Sequence, residues 1–213
     1  MRSHRRSRFI LLSLALALVC VTQAHAGTLV LPRAGQVGLA FSGQGGTLLS
    51  SGDFGKEFGT GGGIQVQLRY RMRFERAMGL TFGMLRLAAR EPSGLESAAF
   101  DSTQGSPPAR REQLRFNTAG VEFYQLFDTR QPTTKMLSAG FGLVQTSARL
   151  SDGDTQFPKA GDGFYLSAGA GLEKFVWHSL AWDLGARYMA IFHDGTMNHD
   201  VQLHTGIVFY AAY

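Results

Sequence analysis

The segment from Ile64 to Phe74 reads IQVQLRYRMRF, and it decides the fold. Every second residue is apolar or aromatic, and all the residues between them are glutamine or arginine. This two-residue period is typical of a β-strand whose two faces meet different media. A helix with the same order would scatter its arginines around the cylinder, so an amphipathic helix is excluded here.

The same alternation recurs along the chain from Gly35 onward. It marks eight segments, at 37–42, 64–74, 78–84, 113–127, 137–143, 164–173, 180–188 and 201–213. Long links rich in Gly, Ser, Asp and Pro follow the odd-numbered segments, at 44–62, 88–112, 151–162 and 193–200. Shorter links follow segments two, four and six. This order predicts an all-β fold, an eight-stranded antiparallel up-and-down barrel whose long loops share one rim.

The fourth segment is the least regular of the eight. Val121 and Phe123 share one parity, whereas Leu114 and Phe116 fall on the other. One extra residue in the strand would bring both pairs to the same face. We therefore expect a β-bulge near Asn117.

Residues 1–26 have the character of an export signal. Four arginines precede an apolar run at 9–21, and small residues at Ala24 and Ala26 suit a signal peptidase. We expect cleavage after Ala26, which leaves one barrel domain at 27–213.

The charge of that expected mature domain is nearly balanced. The chain holds 21 Lys+Arg against 16 Asp+Glu, but four of the arginines lie in the signal, leaving 17 against 16. Nucleic-acid binding therefore has no support from net charge. The single cysteine, Cys20, also lies in the signal, so we expect no disulfide and no thiolate metal site.

Alternation alone does not say which face points inward. A soluble, lipocalin-like binding barrel has the same period with its apolar face inside. Three features favour lipid on the outside. In segments three, five and six the polar parity is mostly Gly, Ser, Gln and Ala, and the chain has four lysines, all in links or at strand ends. Eight strands leave an interior just wide enough for small side chains. Aromatic residues cluster near both rims, as in the girdles of transmembrane barrels.

With these features the sequence resembles the small eight-stranded outer-membrane barrels of the OmpA/OmpX kind. The resemblance spans Gly35 to Tyr213, including a final strand that ends on an aromatic residue. It implies a transmembrane β-barrel in the outer membrane of a Gram-negative-type cell, with the chain ends in the periplasm. It also implies outer-membrane lipid and lipopolysaccharide as partners, and a barrel-assembly machinery that recognises Phe209 and Tyr213. We expect a monomer that binds no nucleic acid.

The inward parity carries the densest set of charges in the chain. Its members are Arg69, Arg71, Arg73, Glu122, Glu173, Asp183 and Arg187. Because an unpaired charge inside a narrow barrel is costly, we expect ion pairs that fill the lumen and leave no open pore. The alternative is a gated conduit for ions, for which eight strands leave little bore.

A second cluster combines His193, Asp194, His199 and Asp200. Two His-Asp couples have the ligand chemistry of a divalent metal site. Their spacing matches no zinc signature, and an Asp-Gly turn between two strands explains the composition equally well. We therefore assign no metal and no cofactor.

Some small outer-membrane barrels are enzymes that modify lipid A, and this is the alternative function. The deacylases among them carry a His two positions before a Ser, a spacing absent from this sequence. No catalytic residue is therefore assigned, and we expect a structural or surface-interaction role carried by the outside loops. The longest link, 88–112, is the best candidate for such a role. The glycines from Gly43 to Gly59, together with Gly61, Gly62 and Gly63, indicate a mobile surface loop.

Overall fold

A computed structural model of the protein describes residues 34–49, 55, 58–89, 111–150, 161–177 and 179–211. No helix in this part of the chain is long and apolar enough to cross a membrane. The eight strands are β1 (Val37–Leu48), β2 (Phe58–Arg73), β3 (Arg76–Ala89), β4 (Arg111–Phe127), β5 (Thr133–Leu150), β6 (Asp162–Phe175), β7 (Leu180–His193) and β8 (Thr196–Tyr210).

The strands form a closed barrel. Each pairs antiparallel with the next, and β8 pairs with β1 along a ladder from Gly38 opposite Tyr210 to Leu48 opposite Asp200. The predicted eight-stranded antiparallel barrel is therefore confirmed. Closure leaves no strand edge with unpaired backbone groups. We call the end with the β2–β3, β4–β5 and β6–β7 turns the short-turn rim, and the opposite end the long-loop rim.

The predicted mobile loop is wrong at residues 43–48 and 58–63, which belong to β1 and β2, whereas residues 50–54, 56 and 57 lie outside the described residues. Their ladder extends to Thr47 opposite Thr60. A Cβ on Gly61 would lie 1.8 Å from the carbonyl oxygen of Arg86 on β3. Here glycine permits a close approach of two strands, a role that composition alone does not separate from that of a loop.

The link expected at 193–200 is also shorter than predicted. Asp194 and Gly195 alone connect β7 to β8, with φ angles of 49° and 75°. Two successive positive φ angles at Asp-Gly are typical of a two-residue type I′ hairpin. The Asp-Gly turn is therefore confirmed, and the long loop is not.

The bulge expected near Asn117 is absent. Asn117 lies opposite Met84 on β3 and Gln145 on β5 in an unbroken register. Leu114 and Phe116 point into the barrel, and each is 1% exposed. The sequence changes parity here although the strand does not change face.

The orientation of the two faces follows the prediction over the middle of the barrel. Leu68, Phe82 and Phe141 point outward and are 44%, 56% and 55% exposed, whereas Arg69 and Arg71 are buried inside. An apolar wall with a polar lumen is the arrangement of a transmembrane barrel.

Toward the long-loop rim this arrangement inverts. On β3, Leu85 and Leu87 are buried in the lumen and Arg86 between them is exposed on the outside. On β4, exposed Arg115 likewise lies between two buried apolar residues. The barrel thus has an apolar wall in its middle and an apolar interior above it.

Candidate functional site

Charged side chains fill the middle of the lumen. Arg69 Nη1 lies 2.5 Å from Glu173 Oε2, and its Nη2 lies 2.8 Å from Asp183 Oδ2. Arg71 Nη2 lies 2.7 Å from Glu173 Oε1. Each of these side chains is at most 5% exposed, so these are buried ion pairs.

A second group lies on the other side of the lumen. Arg187 Nη1 lies 2.6 Å from Glu122 Oε1, and Arg187 Nη2 donates to Gln202 Oε1 at 2.6 Å. Tyr124 donates its hydroxyl hydrogen to Glu122. Charge-assisted hydrogen bonds of this kind are about twice as strong as neutral ones.

Gln67 connects the two groups. Its amide nitrogen donates to Glu122 Oε2 at 3.1 Å, and its oxygen accepts from Arg69 Nη2 at 2.7 Å. The charged residues come from β2, β4, β6 and β7, so their contacts cross the bore rather than follow neighbouring strands. We call this set the ion network, formed by Arg69, Arg71, Glu122, Glu173, Asp183 and Arg187.

Arg73 does not belong to the ion network, and the prediction for it is wrong. The register between β2 and β3 shifts between Arg71 and Arg73, which places Arg73 opposite Arg76. Because directly opposed residues share a face of the sheet, Arg73 joins Arg76 on the outside. Both side chains are exposed.

Aromatic side chains support the network at the short-turn rim. The Arg71 guanidinium lies 5.2 Å from the ring centroid of Tyr210 and 5.8 Å from that of Phe175. Tyr210 also donates to Glu173 Oε2 at 2.8 Å. Tyr210 and Gln67 are not among the predicted members of the cluster. Both fall on the inward parity, and this position could have identified them.

The lumen above the network is filled by apolar side chains. We call this cluster the apolar mouth; it consists of Leu48, Phe58, Leu85, Leu87, Leu114, Phe116, Val144, Tyr165, Met189 and Ile191. Every member is at most 2% exposed. Their packing resembles the core of a soluble barrel. It was not predicted, because Leu48 and Phe58 fall in an expected link and Leu85, Leu87, Val144, Met189 and Ile191 lie just beyond the ends of the expected strands.

A small cavity lies beside the network. It measures about 20 Å³ and is bordered by Gln65, Arg69, Glu122, Arg187 and His204. A cavity of this size holds about one water molecule.

The His-Asp candidates do not form a site. His193 is buried in the lumen, with Nε2 3.2 Å from Thr146 Oγ1, whereas Asp194 is exposed in the hairpin. His199 lies on the outer wall and bonds the hydroxyl group of Tyr188. Asp200 points inward again. Within the described ranges no three His, Cys, Asp or Glu side chains come together as metal ligands.

Two further predictions reach the limits of the described residues. Phe209 points outward and is 47% exposed, but Tyr213 lies outside the described residues. Of the long link 88–112, residues 88 and 89 end β3 and 111 and 112 begin β4, and the rest lies outside the described residues.

Comparison with protein families finds one match. Residues 11–209 match the model of the outer membrane protein beta-barrel domain. None of the curated proteins matches the sequence.

Solved structures share the fold at low sequence identity. OprG of Pseudomonas aeruginosa has a TM-score of 0.57 at 11% identity, over 85% of this chain and 98% of its own. Neisserial surface protein A has a TM-score of 0.53 at 16% identity, over 82% and 95%. AlkL, solved in lipid bilayers, has a TM-score of 0.52 at 12% identity, over 89% and 96%. All three are similar to this chain in fold.

Proposed function

Because the chain belongs to the outer membrane protein beta-barrel domain family, we propose that it is a closed, non-conducting barrel that acts through its outside loops. Its role is to support the envelope or to bind partners at the cell surface. The observation that carries this proposal is the filling of the lumen at two successive levels. A solute would have to displace first the apolar mouth and then the ion network.

The lower level resists ion passage through its charge balance. The network joins three arginines to three carboxylates, and each charge has a partner within 2.8 Å. A passing ion would have to replace one of these partners, and separating a buried pair costs about 3–5 kcal/mol.

The upper level resists water. The apolar mouth includes three leucines from β3 and β4, and each is at most 2% exposed. An ion among these apolar side chains would lose most of its hydration and meet few polar ligands, which costs several kcal/mol or more.

Planar-bilayer recording tests the closed lumen. We expect no stepwise conductance from the purified protein in about 1 M salt. At this concentration screening reduces the charge selectivity of any pore. A matched variant with Leu85→Ser and Phe116→Ser opens the mouth while leaving the network intact. Steady conductance from the wild-type protein would refute the proposal.

We also propose the processing and assembly of the chain. Removal of residues 1–26 by a signal peptidase would be seen as a mature amino terminus at Gly27. Phe209, exposed on the last strand, together with Tyr213 would form the signal for the barrel-assembly machinery. Phe209→Ala should therefore reduce heat-modifiable protein in outer-membrane fractions, whereas Phe141→Ala should not. Equal yields of the two variants would contradict this role.

The surface role belongs in this proposal to residues 90–110. This segment contains Pro107, Pro108, Arg90 and Arg110, and Arg111 follows it. The guanidinium groups of these arginines suit the phosphate groups of lipopolysaccharide. Replacing 90–110 with a short Gly-Ser linker, together with Arg111→Gln, removes all three arginines and should abolish binding of labelled lipopolysaccharide by the purified barrel. Replacing 152–159 in the same way provides the control. Unchanged binding in the first variant would exclude this segment.

A further inference from the structure

Two arginines face each other on the outside of the short-turn rim. Arg73 and Arg76 are directly opposed across the β2–β3 ladder, and both are exposed. Directly opposed residues have Cβ atoms about 5 Å apart, where like charges destabilise a sheet. Among the described residues neither arginine forms an ion pair, although Glu75 lies in the turn between them. An anion held by both would relieve this repulsion.

A groove begins at Arg76, the residue opposite Arg73, and runs up the outer wall. It measures about 450 Å³, and its lining includes Met72, Arg76, Phe123, Gln125, Leu137 and Ala139. Most of its lining is apolar, and Arg76 and Gln125 lie at its lower end. The register explains the shape, because Arg76 lies opposite Gln125 and Gln125 lies opposite Leu137. The small Ala139 follows one row higher and leaves the space open.

The arginine pair lies at the level of lipid headgroups. On β3, Arg86 lies ten positions after Arg76 and is the next outward-facing charge on that strand. At about 3.4 Å per residue and a tilt of about 40°, this is a height of about 26 Å. The apolar band of a transmembrane barrel is about 25 Å tall, so the two arginines mark its two borders.

We propose that Arg73, Arg76 and the groove form a binding site for an anionic glycerophospholipid of the periplasmic leaflet. The guanidinium groups hold the phosphate, and an acyl chain lies in the groove along Leu137 and Ala139. Arginine suits this role because its planar donors match phosphate geometry. This inference rests on the proposed function, which places the short-turn rim on the periplasmic side. A free phosphate would leave the apolar part of the groove without an occupant.

A second opposed arginine pair provides an internal control. Arg86 and Arg115 face each other across β3 and β4 at the long-loop rim, and both are exposed. Arg115 Nε donates to Asn117 Oδ1 at 3.0 Å. This pair has the same charge on the opposite border of the apolar band, so it separates a specific site from general basicity.

Native mass spectrometry of the purified full-length barrel tests the site. The protein in a mild detergent is mixed with phosphatidylglycerol or with phosphatidylcholine of identical acyl chains, and the retained lipid is counted. We expect retention of one phosphatidylglycerol in preference to phosphatidylcholine. Arg73→Gln with Arg76→Gln should reduce this retention about 25-fold, since each arginine near an anionic lipid contributes a factor of about five. Arg86→Gln with Arg115→Gln should leave it unchanged.

A third variant tests the groove independently of charge. Ala139→Phe should fill it and reduce retention of phosphatidylglycerol with both arginines intact. Equal retention of the two lipids by the wild-type barrel, or equal losses in both arginine variants, would overturn the site. Such a result in a heat-modifiable barrel that fractionates with outer membranes overturns this inference alone. A wild-type chain that does not fractionate there refutes the proposed location and this inference together.

Discussion

The ion network and the apolar mouth fill the same lumen with opposite kinds of side chain. The network joins charges whose partners come from across the bore, and three arginines balance three carboxylates. The mouth packs mainly leucine, phenylalanine and methionine, with the buried polar residues Thr146, Asn198 and Asp200 opposite its members. The outer wall changes in the opposite sense, from exposed Phe82 beside the network to exposed Arg86 beside the mouth.

This inversion follows from a change of medium outside the barrel. Within the bilayer the wall meets hydrocarbon, so apolar side chains point out and polar ones pair inside. Beyond the bilayer the same strands meet water, and burial of apolar groups inside is favourable again. β4 shows the change within one unbroken register, where Arg115 points out near one end and Phe123 points out further along. The lower and upper lumen therefore form one structure in two solvents.

The largest expected effect comes from breaking the ion network. Arg69→Ala leaves Glu173 without one of its two arginines and Asp183 without its arginine, so we expect a loss of about 4–5 kcal/mol in the free energy of unfolding. Urea unfolding of the barrel in phosphatidylcholine vesicles measures this loss. Arg73→Ala on the outside is the matched control, and it should change stability by less than about 0.5 kcal/mol. Equal effects of both variants would show that the network does not stabilise the fold.

A slightly smaller effect is expected from the apolar mouth. Phe116→Ala creates a cavity among fully buried side chains, which costs about 3–4 kcal/mol. Phe141→Ala on the lipid-facing wall leaves no cavity, because lipid fills the space, and should cost clearly less. The same urea titration compares the two. A larger loss for Phe141→Ala would mean that the mouth is not packed as a core.

The inversion itself predicts position-dependent costs for one charged residue. Phe82→Arg puts a cation on the wall near the middle of the apolar band and should destabilise the barrel by about 2–3 kcal/mol. Gln145→Arg puts it on the wall beside the mouth and should cost about 0–1 kcal/mol. Unfolding in vesicles gives both values. Equal losses of stability in the two variants would contradict the proposed change of medium.

The smallest effect concerns the border between the two levels. Asp200 is fully buried, forms no ion pair within the described residues, and accepts a hydrogen bond from Gln202 Nε2 at 2.6 Å. Asp200→Asn keeps an acceptor oxygen and removes an uncompensated charge, so we expect a gain of up to about 1 kcal/mol. Gln202→Leu, which removes the donor instead, is the comparison and should destabilise. A loss of stability in Asp200→Asn would indicate that the carboxylate charge is needed.

The sequence predicted the barrel well where one rule applied throughout. Alternation between Ile64 and Phe74 identified both the strand and its outward face, and the charges on the other parity lie together in the lumen, apart from Arg73. That residue departs because a register shift near a turn exchanges inside for outside. Parity counting carries no information about such a shift.

The rest could not be predicted because the pattern has two meanings. Leu114 and Phe116 have the wrong parity for a wall residue in lipid, and a bulge was the simplest explanation. The alternative, a strand that leaves the bilayer while keeping its face, gives the same letters. Likewise, Gly61 is a close-contact residue within a strand, and a single sequence does not separate this role from that of a loop.

The ladder between β1 and β8 has a consequence for how the protein is made. It pairs β1 with β8, so one of the two edges of β1 stays unpaired until β8 has been made, whereas β2 covers the other edge much earlier. Any shorter product exposes two strand edges with unpaired backbone groups, which can pair with other chains. The chain therefore has to reach the membrane unfolded and protected from aggregation.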